Sequence, residues 1–261
     1  MSLNADSKTF DLSGKSVLIT GASSGLGHHF AGVLADAGAT VILGARRVDK
    51  IEQRVSEIKA RGGRAFGLAL DVNNAENVVD FLEQAEALCG RLDVLINNAG
   101  VEAGAKTFMM IDEEDWDTVF NTNLKSIWRL SKLFTERIAK NKHPASIVNI
   151  ASITAFRTIK GQFPYAVSKA ALIKATEIMA LEGAKYGVRV NALAPGYFLT
   201  DVSRVLLESE MSEEFRKGIP MRRYGEFSDL DGPLLLLASD ASAYMTGSTI
   251  VVDGGHICAE L

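Results

Sequence analysis

The sequence predicts a doubly wound α/β fold, a seven-stranded parallel sheet with helices on both faces. Three observations carry this. Short apolar runs alternate with amphipathic stretches along almost all of the 261 residues, a rhythm that implies βαβ crossovers and a parallel sheet. The runs are near-continuous in apolar character, as strands covered on both faces are. A glycine-rich turn, Thr20-Gly21-Ala22-Ser23-Ser24-Gly25-Leu26-Gly27, separates the first run from the first helical stretch.

In chain order the runs are Ser16–Thr20, Thr40–Gly44, Ala65–Leu70, Asp93–Ile96, Ser146–Ile150, Val188–Leu193 and Thr249–Val252, each bounded by Gly, Asp, Asn or Pro. Of the helices between them, Leu26–Ala37 is followed by Gly38, suited to the positive φ of a helix end. Asp49 is placed to cap Lys50–Arg61 before Gly62-Gly63, and Asn74 to cap Ala75–Leu88 before Gly90. Asp112 opens a long helix toward Lys140, with Glu113, Glu114 and Asp115 at its positive end. Pro164 suits the first position of a helix running toward Tyr186. With no repeats and no long linker, residues 1–261 read as one domain.

Composition narrows the function. Apolar residues at 47% supply a core for a doubly covered sheet, and a net charge of −4 disfavours nucleic acid or an anionic membrane as partner. The most apolar stretch, Pro233–Ala238, is far too short to span a bilayer, and the first residues lack the apolar core of a secretory signal. Cys89 and Cys258 give neither a disulfide framework nor a metal-ligand spacing, so no metal is expected and the setting reads as cytoplasmic.

A glycine turn between a strand and a helix lets the backbone approach a pyrophosphate, with the helix N-terminus offering unpaired N–H groups and partial positive charge. Gly21, Ser23, Ser24, Gly25, Leu26 and Gly27 are therefore the candidate phosphate contacts; the bland alternative is a tight turn needing glycine for φ alone. The tip of the second strand meets the adenosine ribose in such folds, where an acid accepts hydrogen bonds from a 2′-OH. Here the tip carries Arg46 and Arg47 and no acid. An arginine grips a 2′-phosphate through charge-assisted bonds worth about 1.5–3 kcal/mol, roughly tenfold to a hundredfold in preference. NADP(H) is the preferred cofactor on this reading and NAD(H) the second choice.

Tyr165 and Lys169 stand at i and i+4 and project from one helix face. A tyrosine acting as a base near neutrality needs its anion stabilised; three units of pKa is about 4 kcal/mol, which a neighbouring ammonium, a helix N-terminus and an oxidised nicotinamide together can supply. Ser152 follows the strand Ser146–Ile150, at the end where doubly wound folds place ligands, and its hydroxyl can polarise a carbonyl oxygen. Its ordinary role is a turn or cap. Asn97-Asn98-Ala99-Gly100 follows another strand, and Asn123 is a poor helix former inside the long helix from Asp112, an exposed or kinked position on the plainest view.

Together these residues resemble the short-chain dehydrogenase/reductase family, from about Gly14 to Gly255, in its single-domain branch of the Rossmann fold. TGASSGLG, Asp71-Val72, NNAG, Asn123, Ser152, Tyr165-x-x-x-Lys169, Pro195-Gly196 with Thr200, and Val252-Asp253-Gly254-Gly255 occur in the family's order. The resemblance implies hydride transfer between a nicotinamide and a carbonyl or secondary alcohol, Tyr165 as general acid/base and Ser152 orienting the carbonyl oxygen. It implies that Lys169 holds the nicotinamide ribose and lowers the tyrosine pKa, and that Asn123 holds a water in a proton relay. Asp71 and Val72 are expected by the adenine, Asn97, Ala99 and Gly100 by the ribose, and Thr200 and the backbone after Pro195-Gly196 by the nicotinamide. Arg46 falls where members using NADP(H) often carry a basic residue. A homotetramer is the expectation by analogy.

The resemblance also makes Ile153, Thr154, Gln162, Tyr197 and Phe198 pocket candidates, alongside Val101-Glu102, and Asp201–Gly218 the variable lid. Phe163, Tyr197 and Phe198 favour an apolar site. A 3-oxoacyl thioester, a sugar acid, a steroid and a simple ketone all stay open as substrates. His28-His29 depart from the common pattern and take no catalytic role. Two other readings are weaker: a nucleotide-sugar epimerase or dehydratase, which needs a larger substrate domain, and a non-catalytic NADP(H)-binding sensor or scaffold.

Overall fold

A computed structural model describes residues 9–198 and 212–259. Seven strands, β1 (Ser16–Thr20), β2 (Thr40–Ala45), β3 (Arg64–Ala69), β4 (Val94–Asn97), β5 (Ala145–Ile150), β6 (Val188–Pro195) and β7 (Thr249–Val252), form one sheet in the order β3-β2-β1-β4-β5-β6-β7. Every pairing is parallel; Ile19, for example, lies between Leu43 and Ile96. The expected seven-stranded doubly wound sheet is the observed one.

Each face is closed by its own apolar layer. On one side α1 (Gly25–Asp36) and α2 (Val48–Ala60) bring Phe30, Leu34, Ile51, Val55 and Ile58 onto Val17, Ile19, Val41 and Leu43. On the other, α3 (Ala75–Cys89) and a long helix after β4 bring Phe81, Leu82, Leu130, Phe134 and Ile138 onto Leu18, Ile42, Leu95 and Ile147. The alternation of Leu18 to one face and Val17 and Ile19 to the other is the period of two that a strand imposes. Chain order reverses between β1 and β4, so a crevice opens at their carboxyl ends.

Asn74 caps α3 as expected, accepting from the Asn77 amide at 3.0 Å, and Gly90 ends it in the left-handed region. Asp49 does not cap α2. That helix starts at Val48 with Arg47 at the cap, which leaves Asp49 in the first turn, where its charge still meets the positive helix end.

The long helix from Asp112 is not continuous. It runs as α4 (Glu113–Phe120), a π-helical turn Asn121–Lys125, and α5 (Ser126–Asn141). Asp112 opens α4 with a reciprocal cap to Asp115. The wide turn is where one residue exceeds the α-helical repeat, and it places Asn123. Helix α6 (Phe163–Gly183) follows β5, with Pro164 in its first turn, and passes into a 3₁₀ turn at Ala184–Tyr186. The last helices are α7 (Ser212–Lys217) and α8 (Asp231–Ala238). Among the described residues no helix is long and apolar enough to cross a membrane.

Candidate active site

The glycine loop and the loop after β4 are locked to each other. Thr20 Oγ1 accepts from the Asn98 and Ala99 amides, each at 3.0 Å, while Asn98 Nδ2 donates to the Thr20 carbonyl at 2.9 Å. A Cβ on Gly21 (φ +67°) would lie 2.8 Å from Ala99 Cα, and one on Gly27 2.4 Å from Asn98 Nδ2. Gly25 differs: at φ +55° its missing Cβ would point into open space. The loop thus presents a bare backbone surface at the N-terminus of α1, edged by Ser23 and Ser24, while Leu26 packs toward the core. The residues present fit a pyrophosphate, because the Ser24 hydroxyl at the helix cap caps nothing in its own helix and the concavity is one a side chain would fill.

Arg47 closes this loop from the β2 side. Its Nη2 donates to Ser24 Oγ at 2.6 Å and Ser23 Oγ at 3.0 Å, and Arg46 lies exposed beside it. Two guanidinium groups therefore flank the place where β2 ends. After β3, Asp71 and Val72 are half-buried; the Asp71 amide donates to Asn77 Oδ1 at 2.6 Å and Asn73 Nδ2 to Thr122 Oγ1 at 2.9 Å. That last bond ties the β3 loop to the π turn.

Asn123 sits in that turn, wholly buried; the expected irregular helix position is met and the exposed one is not. Its Nδ2 donates to the Val101 carbonyl at 2.9 Å and to Ser168 Oγ at 3.2 Å, and its Oδ1 accepts from the Val101 amide at 2.9 Å. Ala99 and Gly100 lead into this clamp; a Cβ on Gly100 would stand 3.4 Å from Asn123 Oδ1 and 3.6 Å from Lys169 Nζ. The Asn97 side chain turns the other way. It is buried beneath the crevice, donating to Asn149 Oδ1 at 2.9 Å and Ser131 Oγ at 3.0 Å, so only its backbone can face a ligand. Asn149 passes the chain on to Thr176 Oγ1 at 2.8 Å, a polar seam that joins β4, β5 and α6.

Ser152, Tyr165 and Lys169 converge at the end of β5. Ser152 caps a 3₁₀ turn, Ile153–Ala155, with its Oγ accepting from the Thr154 amide at 3.2 Å, and its hydroxyl acts on the Tyr165 phenol. Lys169 Nζ donates to the Ile150 carbonyl at 2.8 Å and lies 5.5 Å from the centre of the Tyr165 ring. Burial pushes the Lys169 ammonium down to about 8, with the Glu102 charge opposing it. Burial also pushes the Tyr165 phenol well above its ordinary value, the Glu102 charge adds to that, and the Ser152 hydrogen bond works the other way. With these residues alone, desolvation and the Glu102 carboxylate raise the phenol, and the Ser152 hydroxyl, not the Lys169 ammonium, is the group that lowers it.

The substrate candidates divide. Thr154 Oγ1 and Gln162 Oε1 are buried with no hydrogen-bond partner, Thr154 just beyond Ser152 and Gln162 at the cap of α6. Ile153 is buried under the same turn. Tyr197 follows β6 and packs its ring on Phe215 and His256, with centroids at 5.9 and 5.3 Å. Phe198 is corrected: it belongs to the core, 4% exposed, wedged so tightly against Gly225 that a Cβ there would lie 2.3 Å from its ring. Pro195 ends β6, and the Gly196 amide donates to the Val252 carbonyl at 2.8 Å. Thr200, and the stretch 201–211 of the expected lid, lie outside the described residues.

Two residues join the site that sequence reasoning did not assign to it, Arg157 and His256, whereas Thr20 and Asn98, from the TGASSGLG and NNAG segments, lock the two loops. Arg157 Nη1 donates to the His256 carbonyl at 2.7 Å and the Ala259 carbonyl at 3.4 Å, drawing the C-terminal segment onto the Ser152 loop. His256 is buried with Nδ1 unpartnered, and burial followed by Arg157 lowers its pKa. Neither contact has a local sequence signal, because it joins segments about a hundred residues apart. His28 and His29 pair with Glu57 and Asp231, at 3.7 and 2.6 Å.

The family model described as enoyl-(acyl carrier protein) reductase matches residues 21–256. The chain is 37% identical over 250 residues to 2-dehydro-3-deoxy-D-gluconate 5-dehydrogenase of Dickeya dadantii, covering 95% of this chain and 98% of that protein. It is 37% identical over 246 residues to the 3-oxoacyl-acyl-carrier-protein reductase FabG of Thermotoga maritima, covering 94% and 99%. The crystal structure of a gluconate 5-dehydrogenase from Burkholderia cenocepacia, in complex with NADP and tartrate, superposes with a TM-score of 0.92 at 31% identity, covering 97% of this chain and 99% of that one.

Proposed function

From the premise that the chain belongs to the short-chain dehydrogenase/reductase family, and is an oxidoreductase acting on a ketone or secondary alcohol, we propose that it prefers NADP(H) and works through Tyr165. The observation that carries this is the pairing of Ser152 with the Tyr165 phenol at the end of β5, with Lys169 beside the same ring.

When bound, a nicotinamide dinucleotide supplies or accepts the hydride. The chain's residues do the rest. Ser152 donates to the carbonyl oxygen and holds it by Tyr165. Tyr165, kept protonated at neutral pH, gives its proton to that oxygen as the carbon becomes a secondary alcohol; in the reverse direction it takes the proton back. Lys169 stands beside the phenol and supports the negative charge that develops there as the proton leaves. Asn123 keeps the loop after β4 in register with this group.

For the cofactor, Gly21, Gly25 and Gly27 with Ser23, Ser24 and Leu26 take the pyrophosphate, Asp71 and Val72 the adenine, and the backbone from Asn97 through Ala99 and Gly100 the ribose. Pro195, Gly196 and Thr200 take the nicotinamide side. Arg46 and Arg47, with no acid at the β2 tip, support a 2′-phosphate and hence NADP(H) over NAD(H); Arg47 is held at the loop by two serine hydroxyls. A homotetramer goes with this reading, supported by Trp128 on α5 and Ile178 and Leu181 on α6, large apolar side chains exposed on helix surfaces. A cytoplasmic setting is supported by two free thiols, Cys89 and Cys258.

Steady-state oxidation of NADPH and NADH against short, aromatic and sugar-derived ketones and 3-oxoacyl thioesters tests the reading. Turnover that prefers NADPH is expected. Tight NADPH binding without turnover on any carbonyl or any alcohol would remove it.

A further inference from the structure

A cavity of about 280 Å³ lies on the exposed side of the π turn whose buried side holds Asn123. Its wall is drawn from two segments. Thr118 on α4, Asn121 and Lys125 at the two ends of the π turn, and Arg129 on α5 recur every three or four residues and form one stripe. Asn73, from the loop after β3, completes the lining. At this size the cavity stands near the lower end of small-molecule pockets, roughly 300 Å³.

The wall is fixed from behind. Arg129 Nη1 donates to the Val72 and Asn73 carbonyls at 3.4 and 3.2 Å, and Asn73 Nδ2 donates to Thr122 Oγ1 at 2.9 Å. The remaining groups of the wall are unpaired. Among the described residues the Lys125 ammonium, Arg129 Nε and Nη2, the Thr118 hydroxyl and the Asn121 carboxamide make no hydrogen bond or ion pair. None of the five residues is acidic, and the acids of α4, Glu113 to Asp115 and Asp117, stay out of the lining.

Two positive charges and several donors, with no carboxylate between them, suit an anion. A phosphate monoester carries about −1.5 to −2 at pH 7 on three acceptor oxygens, which answers both cations. A carboxylate, singly charged with two oxygens, leaves one cation unmet. No glycine-loop residue lines the cavity, nor does Arg46 or Arg47, so it is distinct from the phosphate positions assigned to the cofactor.

We infer that this cavity binds a small phosphate monoester, held by Lys125 and Arg129 with Thr118, Asn121 and Asn73 around it, at a site apart from the catalytic crevice. A concavity walled by two segments, at small-molecule size, favours such an occupant over the acidic α4 of a second copy. Bound there, the ligand bridges the π turn and the loop after β3.

The test is isothermal titration of glycerol 3-phosphate into the protein saturated with NADP⁺, at low ionic strength, with glycerol as the neutral match. Saturation fills the glycine loop, the other place where a phosphate would bind. One site is expected for glycerol 3-phosphate and none for glycerol. Lys125→Gln, at an exposed side chain with no bond to keep, is expected to weaken binding roughly tenfold or more, as loss of a charge-assisted bond does. Arg47→Ala, at the glycine loop, is expected to leave it within about twofold. No binding by wild type at millimolar glycerol 3-phosphate overturns the site, as does binding that Arg47→Ala abolishes and Lys125→Gln spares. Absence of binding, with a Lys125→Gln protein that falls to a smaller oligomer in gel filtration, gives the cavity to the acids of a second copy and overturns it too. If NADP⁺ itself does not bind, the cofactor reading falls, and the same two variants still decide where the phosphate sits.

Discussion

Val101 and Asn123 are joined by two hydrogen bonds, amide to Oδ1 and Nδ2 to carbonyl, each at 2.9 Å. A side chain here does what a neighbouring strand does elsewhere, satisfying both polar groups of one residue beyond the end of β4. Asn123→Ala leaves those groups unpaired in a half-buried place. The expected cost is about 1–3 kcal/mol in urea unfolding, since an orphaned backbone group loses its desolvation compensation. Turnover should fall more than cofactor affinity does. Unchanged stability would mean that water replaces the clamp without loss.

Tyr165→Phe removes the proton and keeps the ring. Turnover should drop roughly 10²- to 10⁴-fold, the range of a positioned acid or base. NADPH binding, followed by fluorescence titration, should stay within a few-fold, because the phenol is one contact among many. Wild-type rates in this variant would move the proton transfer to another group.

The arginine pair at the β2 tip is separable by substitution. Arg46→Asp and Arg47→Ala should each lower the ratio of kcat/KM for NADPH to that for NADH, by roughly tenfold to a hundredfold if one charge-assisted bond to the 2′-phosphate is lost. Arg47→Ala should also loosen the loop, because it frees Ser23 and Ser24. Equal losses for both cofactors would assign Arg47 to the loop alone.

Gly27→Ala brings a Cβ to 2.4 Å from Asn98 Nδ2 and 2.6 Å from the Gly21 carbonyl. Neither partner can yield without opening the joint between the β1 and β4 loops. A destabilisation of about 1–3 kcal/mol is expected, as for overpacking in a core, together with weakened NADPH binding. Thermal unfolding with and without NADPH reads both.

Lys169 gives a pH signature. Its folded pKa, about 8, lies below the ordinary 10.5, so between those values the unfolded chain binds a proton that the folded one does not. Stability therefore gains from this group as pH rises through that window, by at most about 1.4 kcal/mol per pH unit. Tyr165 acts oppositely: its raised pKa makes the folded state retain a proton that the unfolded state loses above about 10. Relative to Lys169→Met, wild type should gain stability from pH 8 to 10, as measured by denaturant midpoints. Parallel curves for the two proteins would show that Lys169 stays charged.

The fold was legible because its signals are local and repeated. Each strand is an apolar run with punctuation, and Asn74 and Gly90 declare the ends of α3 by their own chemistry. The convergence of Ser152, Tyr165 and Lys169 was legible from strand end and helical spacing. What sequence could not show was depth. Phe198 and Tyr197 are adjacent aromatics, yet one fills the core against Gly225 and the other packs on Phe215 and His256, a choice made by Gly225 nearly thirty residues away. Asn97 and Asn98 are chemically identical, and only the pleat of β4 sends one beneath the sheet ends and the other to the glycine loop. The electrostatics at Tyr165 depend on Glu102, which no helical or strand period links to it.

The π turn at Asn121–Lys125 sets stability and catalysis at odds within one helix. Deleting a single residue there would restore an unbroken α-helical ladder from Glu113 to Asn141, a better helix by the ordinary rules. It would also rotate everything on one side of the deletion by about 100° relative to the other, carrying Asn123 away from Val101. A chain shortened there would keep a regular helix and lose the hold on Val101, so the irregular turn is what the loop after β4 rests on.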